Sequence, residues 1–196
     1  NQTANPPDPF MTAYVMYGLT EAKLTGNHVN SVAYKKGLDA VENLLKKDMP
    51  QDVRVLCLYV LTRADRAPLS IIMALYKDRE TMSSYSLAQM SLALWESGKH
   101  AEAKVCCDIL LKRKTDDGGT MTHWNSWVRY YQEENDLPVD TTAMVLRALL
   151  KVYPKRPECG KAAYWLLNRR TGERWESTRD TAAAAIALSE FLGETG

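Results

Sequence analysis

No CxxC pair and no regular spacing links the four cysteines, Cys57, Cys106, Cys107 and Cys159, which argues against both a disulfide framework and a zinc site. Charge of one sign is equally scarce. Lys and Arg total 25 against 24 for Asp and Glu, a net charge of +1, so no long-range field gathers nucleic acid or acidic lipid, and neither is an expected partner. Uncharged apolar stretches such as Val55 to Thr62 fall far short of the ~20 residues a membrane helix needs, so no membrane insertion is expected. No basic-then-apolar leader opens the chain. The start NQTANPPDPF has the character of the middle of a longer protein, so the missing leader does not fix a compartment.

What is present is helix. With 196 residues and 45% hydrophobic content, the chain has apolar material for one core, and one domain spanning 1–196 is expected. Asp8 before Pro9 forms a cap and first-turn proline, and the following run to Gly26 is apolar nearly all round. From Asn30 to Lys47 the pattern changes: Tyr34, Leu38, Val41, Leu44 and Leu45 form one stripe opposite Lys35, Lys36, Asp39, Glu42 and Lys46. The alternation continues along the chain. Inner, two-sided helices are predicted at 10–24, 52–64, 84–97, 139–153 and 178–192, and outer, one-sided helices at 30–47, 69–76, 100–113 and 158–169. On the 100–113 helix, Val105, Cys106, Ile109 and Leu110 oppose Glu102, Lys104, Asp108 and Lys112. Cys57 and Cys106 lie on apolar faces and are expected to be buried, inert thiols. No strand is expected.

The inner helices resemble one another. Thr12-Ala13, Val15 and Gly18-Leu19 have the form TAxVxxGL, and Thr142-Ala143, Val145 and Ala148-Leu149 the form TAxVxxAL. Thr181-Ala182 with Ala187-Leu188 repeats it less fully. Leu19, Leu61, Leu94, Leu149 and Leu188 lie 42, 33, 55 and 39 residues apart, the length of a helix hairpin with its loops. A small residue before most of these leucines lets inner helices approach closely. Variable spacing favours a closed toroid over a solenoid, whose period is tighter. It also counts against a tetratricopeptide-like binding scaffold, which the segment SLAQMSLALWESGKHAEA alone suggests.

Two stretches join a helix end to glycine and then tryptophan: Asp116 to Gly119 before His123-Trp124, and Gly172 before Trp175. Glycine permits the turn, tryptophan plugs the layer between hairpins, and Ser177 or Thr178 caps the next helix. Asp116-Asp117 lacks further ligands at metal spacing and is expected to be a turn. Of His28, His100 and His123, only the last has a suggestive setting, beside Trp124, Asn125 and Ser126. With no nucleophile placed by sequence as its partner, it is expected to be structural.

FMTAYVMYGLTEAK, SSYSLAQMSLALWESGKHAEA, THW, VDTTAMVLRALLKV and AAYWLLNRRTGERWESTRDTAAAAIALSEFL, in that order, resemble the thioester domain of the alpha-2-macroglobulin and complement family from Asp8 almost to the end. The most specific part is STRDTA, similar to the family's STQDTA-like segment. Arg179 where many members carry Gln, with Asn168-Arg169-Arg170, has a bacterial character. The resemblance implies an all-α fold, an α/α toroid of helix hairpins. Six hairpins, or twelve helices, are the family's number, and about nine are legible here. It also implies a protease-trapping parent, secreted or held in the periplasm or cell envelope, whose thioester joins the Cys and Gln of a CxEQ motif.

No CxEQ occurs in the chain; Cys159-Gly160-Lys161-Ala162 is the nearest string and lacks both the acid and the glutamine. In the family, the motif and the histidine that assists acyl transfer in some complement members precede the helix matching Phe10 to Leu24, so both are expected upstream of Asn1. The chain is thus expected to be a scaffold and no enzyme, with no catalytic, cofactor-binding or metal-ligating residue and no cofactor. Expected partners are the parent's other domains, target proteases through the whole parent, and a second copy meeting an open toroid edge. The rival among toroids, an enzyme of the terpene cyclase or prenyltransferase type, needs a DxDD cluster or an Asp/Cys/His zinc site, and neither is present.

Overall fold

The alternation of two-sided and one-sided helices becomes a layered arrangement in the computed structural model, which describes residues 8–130, 133–136 and 138–195. Helix α1 (Pro9–Leu24) is capped by the Asp8 carboxylate, which accepts from the Met11 amide at 2.8 Å. Asn30 caps α2 (Ser31–Leu44) in the same way, and Ser83 caps α5 (Ser84–Glu96). Between them lie α3 (Gln51–Arg63) and the short α4 (Leu69–Leu75), which tightens into a 3-10 turn over Tyr76–Thr81. After α5 come α6 (His100–Lys112), α7 (Pro138–Val152), α8 (Pro157–Asn168) and α9 (Thr178–Thr195). These nine α-helices among the described residues match the expected inner and outer sets.

Four short strands were not expected. Strands β1 (Thr115–Asp117) and β2 (Met121–His123) pair antiparallel, as do β3 (Trp127–Tyr130) and β4 (Glu133–Asp136). The first hairpin turns on Gly118 and Gly119, both at positive φ (61° and 76°), which glycine alone adopts cheaply. The acidic pair, expected to be a turn, instead lies in strand β1 just before the turn, because strands of three residues give no alternation long enough to register. In the second hairpin, the acidic β4 has poor strand propensity and masked the aromatic, β-branched β3.

The inner helices α1, α3, α5, α7 and α9 pack each on the next, with α2, α6 and α8 behind α1, α5 and α7. Burial follows position in this order. Most residues of α3 and nearly all of α5 and α7 are buried, whereas α1 buries only Ala13, Met16 and Thr20, and α9 buries Ala184 and Ala187. The two terminal inner helices do not pack along each other among the described residues. Tyr14 and Leu19 are half-buried, and Met11 and Val15 are 43% and 52% exposed. Met16, by contrast, is buried against Gly37 of α2. The toroid is an open arc.

The two tryptophans expected to plug the hairpin layers do so equivalently. Trp124 is fully buried and its indole N–H donates to the carbonyl of Leu110 in α6 at 2.6 Å. Trp175 donates to the carbonyl of Leu166 in α8 at 2.8 Å. Each indole thereby satisfies a carbonyl near the end of the preceding outer helix. Cys57 and Cys106 are buried free thiols as expected, and so are Cys107 and Cys159. One expectation needs adjusting. Val105, assigned to the apolar face of α6, is exposed, and Cys107 takes the inward position.

Candidate functional site

Where five two-sided helices converge, each must aim some side chains at the hub. Near their N-terminal ends, Asp140 of α7 forms an ion pair with Arg179 of α9, whose guanidinium lies 5.5 Å from the Tyr14 ring of α1 and 5.7 Å from the Tyr85 ring of α5. In the same layer, the Asp52 carboxylate of α3 accepts from the hydroxyls of Ser83 and Ser86. Near the C-terminal ends lies a second ionic layer, centred on the almost fully buried Arg147 of α7. It donates to both carboxylate oxygens of Glu190 in α9 (2.9–3.1 Å), to the Tyr17 hydroxyl (2.7 Å) and to Glu21 (3.0 Å), the last two in α1. Glu21 also accepts from Arg63 of α3, which reaches on to Glu96 of α5. N-terminal residues meeting N-terminal residues, and C-terminal meeting C-terminal, means that the five inner helices run parallel.

Burial acts against the charged form of each of these groups. It raises the Asp140 carboxyl to about 6 despite the opposing pull of Arg179, and the Tyr17 hydroxyl to about 12 despite Arg147. For Arg147, burial disfavours the charge, but the Glu190 and Glu21 carboxylates outweigh it and hold the guanidinium charged. A folded carboxyl raised above its unfolded value near 3.9 contributes stability that is fully present below that value and is lost as pH rises towards about 6. The expected result is that stability of the native chain relative to Asp140→Asn falls between pH 4 and pH 6 and is level above. Urea titrations of both proteins at stepped pH check it; parallel curves would contradict it.

His123 is held structurally. Its Nδ1 lies 2.7 Å from Asp117 Oδ2, and its ring stacks on Trp165 at 4.7 Å, while the Arg169 guanidinium also lies over the Trp165 ring. The pair fastens the β1–β2 hairpin to α8. His100 stacks on Trp95, and His28 is exposed. Cys159 is buried in α8, where its thiol contacts the Tyr153 carbonyl at 3.6 Å and burial lifts it to about 11. Among the described residues, no three His, Cys, Asp or Glu side chains are grouped to hold a metal ion, and no helix is long and apolar enough to cross a membrane.

Sequence reasoning found the tryptophan plugs and the Ser177 cap, whose hydroxyl accepts from the Asp180 amide at 3.0 Å, but missed the ionic layers. Their signal was present. Leu19, Leu61, Leu94 and Leu188 are each followed two positions later by a charged residue, Glu21, Arg63, Glu96 and Glu190, while Arg147 precedes Leu149 by two.

An open arc of parallel inner helices, with outer helices behind them and ionic side chains meeting in two hub layers, defines an α/α toroid. The family model of the A-macroglobulin TED domain matches residues 6–191, and the chain belongs to that family. No curated protein matches the sequence. Among solved structures, native Escherichia coli alpha-2-macroglobulin from domain MG7 to the C-terminus is similar at 22% identity and TM-score 0.71, covering 95% of this chain and 30% of that one. Salmonella alpha-2-macroglobulin reacted with methylamine is similar at 21% identity and TM-score 0.71, covering 95% and 12%. The Escherichia coli protein activated by porcine elastase matches at 24% and 0.69, covering 95% and 17%. These likenesses establish the shared fold, and the chain spans less than a third of the length of each of these structures.

Proposed function

We propose that residues 1–196 form one domain, the later part of the thioester-containing toroid of a macroglobulin-like protease-trapping protein, and serve there as scaffold. Family membership over nearly the whole chain carries this reading. The open edge between α1 and α9 supports it, because a toroid lacking its opening hairpins is left with two unpaired inner helices. The relatives of the same fold include one reacted with methylamine and one activated by elastase. A parent of that kind would be bacterial, secreted or held in the cell envelope, and would meet proteases through its whole assembly. Among the described residues this reading assigns none a catalytic role: His123 is committed to Asp117 and Trp165, and Cys159 is enclosed without a glutamine beside it in the sequence. Labelled methylamine is expected to be incorporated by the parent and not by the 196-residue chain. Covalent label on the purified chain, found by mass spectrometry, would overturn the scaffold reading. A parent that takes no label would point to a member without a thioester.

A further inference from the structure

The first hairpin is a unit in itself. Thr20 of α1 and Tyr34 of α2 share a buried hydrogen bond at 3.0 Å, Lys23 lies over the Tyr34 ring, and Met16 packs directly onto Gly37, where a Cβ would collide with its sulfur. It is fastened to the rest of the molecule by packing on α3 and by ionic contacts at the hub. Along α1, one flank packs on α3 and the other faces the opening, so few of its side chains are enclosed. On the outer side, α2 packs on α3, Arg54 of α3 donates to the carbonyls of Leu45 and Lys47 (3.0 and 2.8 Å), and Arg66 after α3 pairs with Asp39 and Glu42. These pairs are substantially solvated and hold weakly. At the hub, by contrast, the two oxygens of Glu21 each take a different guanidinium, Arg63 from α3 and Arg147 from α7, and Tyr17 accepts from Arg147 as well. Arg147 at the same time grips Glu190 on the far side of the opening.

We propose that this network is a latch for the α1–α2 hairpin: it holds α1 across the opening from α9, and breaking it frees the hairpin while α3 to α9 stay folded. Charge-assisted bonds shielded from water are the strong ones, and they switch off together when a shared carboxylate is lost. Glu21 is that shared group. Packing between α3, α5, α7 and α9 does not pass through it, so the remainder keeps its core. The latch would therefore make the hairpin the first unit to open in the native state, a sub-global unfolding step with its own free energy.

Hydrogen exchange followed by mass spectrometry on the full 196-residue chain tests this. In Glu21→Gln, which keeps the side-chain shape, amides of α1 and α2 are expected to exchange about tenfold faster, with α5, α6 and α7 unchanged. Arg147→Met should speed exchange in α1 and α2 more strongly and also loosen α9, where Glu190 loses its partner; if that variant does not fold, Glu21→Gln decides alone. Glu96→Gln removes the other partner of Arg63 without touching α1, and should leave the hairpin protected. Unchanged protection of α1 in Glu21→Gln would overturn the proposal, as would loss of protection in all helices together, or an equal response in Glu96→Gln.

Discussion

Trp124→Ala is expected to cost on the order of 3–5 kcal/mol, the range for emptying a fully buried aromatic site, which is a large part of the about 5–15 kcal/mol that holds a domain together. The side chain has no exposure, so its whole volume becomes cavity. Its environment is also stitched in place. The Trp124 amide donates to the Thr142 hydroxyl at 3.0 Å, and the neighbouring Ser126 hydroxyl accepts from the Tyr85 amide at 2.9 Å. Little collapse is available to fill the space. Trp124→Phe keeps most of the apolar volume but leaves the Leu110 carbonyl without its indole donor, so a smaller loss is expected. Trp175→Ala should fall below Trp124→Ala, because it packs beside α9, where fewer residues are enclosed. Urea unfolding followed by circular dichroism orders the three variants; equal midpoints for the two alanine variants would contradict the account.

The isolated chain is expected to self-associate through its open edge. Met11 and Val15 on α1 and Leu192 on α9 are 43%, 52% and 67% exposed. Enclosing a large apolar side chain fully is worth about 1.5–3 kcal/mol, so even partial coverage of several by a second copy favours pairing. Val15→Lys combined with Leu192→Glu should give a monomer with unchanged helix content. Light scattering checks both proteins. A native chain that stays strictly monomeric would show that half-exposed edges are tolerated and remove the basis for pairing.

The sequence made the helices legible because each inner helix is apolar round most of its circumference, and each outer one, such as Ser31–Leu44, shows a single stripe. Small residues beside the repeat leucines pointed to the close inner packing. The hub was less legible for a physical reason. A charged residue in an apolar helix looks like an exposed position, and only three-dimensional convergence reveals that Arg147, Glu21 and Glu190 compensate one another. The same holds for Asp140 and Arg179, which lie in different motifs and meet only because α7 and α9 are neighbours. The short strands escaped because their register depends on a two-glycine turn and not on any hydrophobic period.

The enclosure of all four cysteines has an analytical consequence. Burial lifts Cys57, Cys106 and Cys107 to about 12 and Cys159 to about 11, so at neutral pH almost none is present as the nucleophilic thiolate. The native chain should therefore be nearly invisible to a colorimetric thiol reagent. In any longer protein that contains this segment, a sulfhydryl that appears during a reaction would be counted against an almost blank background, and its stoichiometry could be assigned to the rest of the molecule.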